Sequence, residues 1–297
     1  MSQFDMQDPR NQFPQPPFPE QPQPVPGLAS NMEPKPDHGE QTYEGRQRLV
    51  GRKAFITGGD SGIGRATAIA YMREGADVAI NYLENEESDV EDLKKVFEDE
   101  GKKLICLPGD ITDQSFCEEV IADAVEQLEG LDILVLNAGR QTAIDNFDDI
   151  SADHFDEIFK TNIYAPFWLL KAASPHLQAG AAVIVSSSIQ AYEPSATLVD
   201  YASTKAAEKA FVQALGKQWI QSKGVRVNAV APGPVWTPLQ PSGGQTQDVI
   251  KEFGKEAPIN RPAQPVELAP AYVFLASQES SYVIGETYGV TGGVPTA

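Results

Sequence analysis

The run Tyr201-Ala-Ser-Thr-Lys205 sets a phenol and an ammonium four residues apart. Where such a run opens a helix, positions i and i+4 share a face and the ammonium lies beside the phenol. A free phenol has a pKa of about 10 and is a poor base at neutrality, but a neighbouring cation stabilises phenolate and lowers that value. The pair can then give and take a proton. Thirteen residues upstream, Ser188 closes the β-branched run Val183-Ile-Val-Ser-Ser-Ser188. A hydroxyl at the carboxyl end of a strand stands where ligands bind in open α/β folds. A second constellation, Thr57-Gly58-Gly59-Asp60-Ser61-Gly62-Ile63-Gly64, follows a short apolar run and precedes an amphipathic stretch. Glycines there permit a tight turn and let a pyrophosphate approach the backbone, while the helix N-terminus beyond offers free N–H groups and a positive dipole end. Dinucleotide binding is the chemistry such a loop suits.

These groups converge only if the elements bearing them alternate. From Arg52 onward, β-rich runs near 53–57, 77–82, 103–107, 132–136, 181–187, 225–230 and 284–290 are separated by helical stretches near 62–75, 86–100, 113–129, 151–178, 202–222 and 265–277. That is the form of βαβ units and predicts an α/β fold with a parallel sheet over residues 46–297 as one domain. The stretch 232–262, rich in Pro and Gly with a short helix near Asp248–Phe253, is long for a connection and reads as a substrate lid. Ten of the 23 prolines fall in the first forty residues, interleaved with Gln and with Phe4, Phe13 and Phe18. Residues 1–45 therefore form neither helix nor central strand. They are an extended or disordered arm, whose aromatics and Thr42-Tyr43 step are equipped to dock on the body or on a neighbouring subunit.

The chain of 297 residues is 41% hydrophobic, enough for a sizeable core, and carries 42 acidic against 23 basic side chains, a net charge of −19. A field of that sign repels nucleic acid and anionic lipid, so neither is an expected partner. No run of eighteen apolar residues and no basic-then-apolar leader is present, which predicts a cytoplasmic protein with no membrane association. Cys106, Cys117 and three scattered histidines make neither a disulfide framework nor a metal site. Residues 84–129 hold sixteen acids and four lysines, either two solvated helix faces or a surface for a protein partner.

With TGxxxGxG at 57–64, Asn137-Ala138-Gly139, Ser188 and Tyr201-xxx-Lys205, the chain resembles the short-chain dehydrogenase/reductase family over about residues 48–297. The glycine spacing is similar to that of its roughly 250-residue reductases rather than its longer epimerases. The resemblance implies a Rossmann-type, doubly wound, seven-stranded parallel sheet and a catalytic tetrad of Asn162, Ser188, Tyr201 and Lys205. It implies adenine contacts at Asp110 and Ile111, and a nicotinamide carboxamide held by Pro232, Gly233, Val235 and Thr237. It also implies the mechanism: Ser188 and Tyr201 bond the carbonyl oxygen of the substrate, hydride passes between nicotinamide and carbonyl carbon, and Tyr201 moves the proton. Lys205 would depress the Tyr201 pKa, anchor the ribose and relay protons through a water on the Asn162 carbonyl. Pro166 has no N–H to bond that carbonyl in a regular helix. A homotetramer is the family expectation, and the all-round apolar stretch Ile163–Leu170 fits burial by another subunit. The arm, with Ser186–Tyr192 and Pro232–Thr237, looks like a bacterial stress-associated subgroup of oxidoreductases. One departure is Leu136, where the family usually has Asn.

At the end of the second strand, Ile80-Asn81-Tyr82-Leu83-Glu84 has no Arg for a 2′-phosphate, and the glycine loop carries Asp60-Ser61. Asp60 and Glu84 without a cation favour NAD over NADP, although Asn81, Tyr82 and Ser61 are able to hydrogen-bond a phosphate. Gln141, Gln190, Tyr192, Trp236 and Leu239, with Ser188, are the expected substrate contacts. They offer no cation to a carboxylate and no acid to an amine, which suits a small neutral aldehyde or ketone. The competing possibility is a non-catalytic dinucleotide sensor or scaffold.

Overall fold

A computed structural model describes residues 3–296. Seven short, mostly apolar runs form one parallel sheet: β1 (Lys53–Thr57), β2 (Asp77–Tyr82), β3 (Leu104–Pro108), β4 (Ile133–Leu136), β5 (Ala182–Ser186), β6 (Arg226–Pro232) and β7 (Thr287–Val290). Their order is β3-β2-β1-β4-β5-β6-β7. β1, β4, β5 and β6 are almost wholly buried, as parallel strands covered on both faces must be. Helices α1 (Gly62–Arg73), α2 (Glu87–Asp99) and α8 (Pro265–Ala276) pack on one face. Helices α3 (Gln114–Leu128), α5 (Ala165–Ala173) and α6 (Val199–Lys223) pack on the other. β1 pairs with both β2 and β4, so the chain's direction of travel reverses there and a crevice opens at the carboxyl ends of the strands.

Two elements differ from the sequence expectation. The helix expected over 151–178 is α4 (Ala152–Phe159), a π-helical turn at Lys160–Tyr164, and α5. Pro166 has no N–H to give, and the wider turn is closed by the N–H of Ala165 on the carbonyl of Lys160. The second difference matters more for chemistry. α6 begins at Val199, not 202, so Tyr201 and Lys205 occupy its first two turns. The short lid helix, α7, spans Gln247–Lys251.

The N-terminal segment lies docked on its own body. A proline-rich chain has few N–H donors but a full set of carbonyls, and the body supplies cations and N–H groups to meet them. Arg73 donates to the carbonyls of Gly39, Glu40 and Tyr43 at 2.6–2.7 Å. Arg261 donates to that of Pro9 at 2.8 and 3.0 Å, and Trp236 Nε1 to that of Pro34 at 2.8 Å. Phe18 stacks on Trp236 with centroids 4.2 Å apart, and its N–H donates to Lys251 at 2.9 Å. The N–H groups of Ala29 and Ser30 reach the buried Asp89 carboxylate at 2.6 and 3.1 Å. The arm thereby ties the lid to α2 across the mouth of the crevice. Among the described residues no helix is long and apolar enough to cross a membrane.

Candidate active site

A cavity of about 740 Å³ occupies the crevice. At its floor the turn from β1 to α1 is shaped by glycines whose side chains would collide. Gly58 and Gly62 have φ of +61° and +50°, and a Cβ on Gly64 would lie 1.8 Å from the Gly58 carbonyl oxygen. Thr57 Oγ1 accepts the N–H groups of Asn137 and Ala138 at 3.0 and 3.1 Å, and Asn137 Nδ2 donates to the Gly58 carbonyl at 3.1 Å. β1 and β4 thus hold the loop from both sides. Gly58, Asp60, Ser61, Gly62, Ile63, Asn137, Ala138 and Gly139 line the cavity, while Gly64 lies beneath it in the first turn of α1. The buried Asp60 has an oxygen with no hydrogen-bond partner among the described residues, and burial pushes its carboxyl up to about 6. A glycine cradle at a helix start, which a Cβ would fill, fits the pyrophosphate of a dinucleotide, and the open Asp60 oxygen suits a hydroxyl donor rather than a phosphate.

Asp110 and Ile111, and further along Pro232, Gly233, Val235 and Thr237, also line the cavity. At its outer end, however, the roles of three expected residues change. Asn81 Nδ2 is spent on the carbonyls of Leu107 and Gly109 at 3.1 and 3.0 Å, and the Tyr82 hydroxyl on Glu87 at 2.5 Å. Both line the cavity, but neither of these donors is free for a phosphate. Glu84 is exposed and outside the lining; the acid that turns inward is Glu86, capping the N–H of Leu83 at 2.8 Å. Burial and the nearby Asp60 push the Glu86 carboxyl up to about 8. The spacing of acids missed this because Glu84–Glu86 is a single 3-10 turn that points successive side chains apart.

At the inner end, Ser188, Tyr201 and Lys205 are all buried and all line the cavity. Ser188 Oγ accepts the N–H of Gln190 at 3.1 Å, which fixes the turn after β5. Lys205 Nζ stands 5.3 Å from the centroid of the Tyr201 ring and donates to the carbonyl of Ser186 and to Glu208, each at 2.9 Å. Lys205 pulls the Tyr201 pKa down, as expected, but does not decide the net shift. Burial outweighs the attraction of Lys205, the Glu208 carboxylate opposes it further, and the net shift of Tyr201 is upward. Asn162 is fully buried in the π-helical turn and does not reach the cavity. Its amide instead clamps the backbone of Arg140, accepting at 2.8 Å and donating at 2.9 Å, and donates to Thr204 at 3.1 Å.

Of the expected substrate contacts, Gln141, Gln190 and Leu239 line the cavity, and Trp236 and Tyr192 do not. Trp236 is sealed between Phe18 and Phe253, and the Tyr192 ring lies under Lys209 Nζ at 3.9 Å. Gln141 is itself held by the carbonyl of Gly244 at 2.5 Å. The sequence also left out two parts of the wall. One is the arm, through Val25, Pro26 and Gly27; the other is a charged rim from α4, where Arg140 pairs with Glu157 at 2.9 Å and Lys160 with Asp156 at 2.8 Å. The phenylalanines and prolines of the arm were the available signal for the first. Nothing local in sequence marked the second, which depends on how α4 folds over the crevice.

A doubly wound sheet, a glycine cradle at its switch point and a Tyr–Lys pair at the inner end of one cavity define an oxidoreductase of the nucleotide-dependent kind. The chain belongs to the short-chain dehydrogenase/reductase family, and residues 58–295 match the family model described as Enoyl-(Acyl carrier protein) reductase. It is 52% identical over 300 residues to the uncharacterised oxidoreductase YhxD of Bacillus subtilis (strain 168), covering all of both chains. It is 39% identical over 274 residues to NADPH-dependent aldehyde reductase 1, chloroplastic, of Arabidopsis thaliana, covering 90% of this chain and 94% of that one. Among solved structures, a short chain dehydrogenase from Burkholderia cenocepacia J2315 in complex with NADP superposes with a TM-score of 0.76 at 30% identity, over 83% of this chain and 98% of that one.

Proposed function

We propose that the protein interconverts a neutral aldehyde or ketone and the corresponding alcohol, with Tyr201 as general acid and base and with NAD favoured over NADP. The observation that carries the reading is the convergence of Tyr201, Lys205 and Ser188 at the inner end of a cavity whose floor is the glycine loop. The nicotinamide, when bound, supplies or accepts the hydride. The glycine loop, Asp60, Ile111 and the Asn137–Gly139 turn would hold the dinucleotide, and Pro232–Thr237 would hold its nicotinamide end. Ser188 and Tyr201 orient the carbonyl oxygen by hydrogen bonds, and Tyr201 gives it a proton in reduction or takes one in oxidation. The ammonium of Lys205 stabilises the phenolate that results. Asn162 fixes the Arg140 loop and Thr204, so it acts through position rather than by contact. The name of the Arabidopsis relative supports a carbonyl substrate. Because the rim cations Arg140 and Lys160 are paired with acids, a neutral substrate is the better fit.

The cofactor preference rests on Asp60 and Glu86, which both line the cavity, while the Arg65 near Asp60 lies outside the lining and is spent on Glu40 and on the Asp89 carbonyl. At neutral pH Glu86 is largely protonated and Asp60 carries the charge, so a 2′-phosphate there meets one carboxylate, and each 1.4 kcal/mol of repulsion is about tenfold in affinity. Initial rates with short aldehydes are expected to give a kcat/KM for NADH at least about tenfold above that for NADPH. Equal or reversed values would remove the preference.

The same proposal includes a homotetramer. Tyr164 and Phe167 stand 42% and 48% exposed on the π-turn and α5, with the Tyr164 ring against Trp168, apolar surface that association would cover. Sedimentation velocity is expected to give four times the 32.2 kDa chain mass, and Phe167→Glu a smaller species.

A further inference from the structure

Glu208 is a carboxylate where helix α6 faces the core. It is buried, as is Lys205 three residues before it, and its Oε1 lies 2.9 Å from Lys205 Nζ. Its Oε2 has no hydrogen-bond partner among the described residues. An acid so placed costs desolvation that an apolar side chain would not. The groups around it are few. On α6 they are Lys205 and, beyond it, Tyr201. From the end of β5 come the Ser186 carbonyl, which takes another Lys205 proton, and the Ser187 hydroxyl, which donates to the Lys205 carbonyl at 3.1 Å and lies near enough to Glu208 to favour its ionised form. From α8 comes Tyr272, whose hydroxyl lies 2.6 Å from Ser186 Oγ and which burial keeps protonated. Asp200, the acid next to Tyr201, is paired instead with His154 at 3.0 Å.

We propose that Glu208 is a positioning residue of the active site: as the buried counter-ion of Lys205, it limits how much of the ammonium charge reaches the Tyr201 phenol and so sets the pH window in which the pair works. This rests on the assignment of Tyr201 as the acid and base. Glu208 acts in two ways of the same sign. Its negative charge disfavours phenolate directly, and it draws Lys205 Nζ toward itself and the Ser186 carbonyl. Burial pushes the Glu208 carboxyl up to about 7 against the pull of Lys205, so the acid is ionised at the higher pH where the phenol titrates. Removing the charge therefore makes Tyr201 ionise at lower pH.

The test needs no known substrate. The near-ultraviolet phenolate absorbance of the full chain is titrated, and the titration of Tyr201→Phe is subtracted to isolate Tyr201. Glu208→Gln is expected to move that difference curve downward by about one pH unit or more, and Glu208→Asp, which restores the charge, to bring it back toward wild type. Glu208→Leu repeats the measurement should the amide variant fold poorly, with circular dichroism showing that the compared variants are folded. A shift under about half a unit, an upward shift, or equal shifts in the Gln and Asp variants overturns the role of Glu208. A Tyr201→Phe variant that keeps wild-type turnover with NADH and short aldehydes overturns instead the assignment of Tyr201, and the two failures are distinct.

Discussion

Tyr201→Phe is expected to lose turnover by about 10²–10⁴-fold or more while binding NADH as the wild type does. The phenylalanine ring keeps the shape that fills the first turns of α6, and the residue is already buried, so packing is preserved. What disappears is the single hydroxyl able to move a proton at the substrate oxygen. Ser188 cannot replace it: an aliphatic alkoxide is far less stable than a phenolate, so the hydroxyl can hydrogen-bond the substrate oxygen but not take over the proton transfer. The glycine cradle is untouched, so fluorescence titration with NADH should give an unchanged Kd. Turnover within a few-fold of wild type would end the assignment of Tyr201 and mean that another group moves the proton.

Trp236→Ala is expected to destabilise the fold by about 3–5 kcal/mol, the range for removing a large aromatic from a packed core. The indole is fully buried, stacked on Phe18 from the arm and 6.2 Å from the Phe253 centroid on the lid side, with its N–H on the Pro34 carbonyl. Its loss opens a cavity and orphans that carbonyl at once. Thr237, the next residue, is part of the cavity wall, so KM should rise as stability falls. Urea unfolding followed by tryptophan-independent circular dichroism measures the first effect, and limited proteolysis of the arm reports its release. A loss below about 1 kcal/mol with an equally resistant arm would mean that the aromatic wedge does not hold the lid.

The sheet and the inner half of the site were legible because their signals are local. A strand that must be buried on both faces is apolar along most of its length, and a turn that a phosphate must approach is glycine. Tyr201 and Lys205 announced themselves by helical spacing. The outer half was not legible in the same way. Whether Glu84 or Glu86 faces the crevice is decided by a 3-10 turn of three residues, and periodicity does not resolve one turn. Trp236 looked like a pocket residue because its neighbours are; its side chain points the opposite way, toward the arm, and only the docked Phe18 explains why. The upward shift of Tyr201 escaped for a related reason. Spacing shows that Lys205 is beside the phenol, but not that the site is dry or that Glu208 occupies the ammonium.

The arm has a consequence for the order in which the molecule is completed. Its contacts span the chain: Trp236 to Pro34 separates partners by 202 residues, Gln21 to Gln247 by 226, and Arg261 to Pro9 by 252. During synthesis the arm is made first; Arg73 and Asp89 follow soon after it, but its receptors Trp236, Gln247 and Arg261 come late. It must wait in solvent while the sheet assembles behind it, and contacts of such separation carry the heaviest cost of loop closure. Frequent proline suits that wait, since a segment that cannot enter a ladder offers nascent strands no false partner. Docking of the arm on the lid then waits for the last of these receptors, and the crevice gains its outer wall of Val25, Pro26 and Gly27 with it.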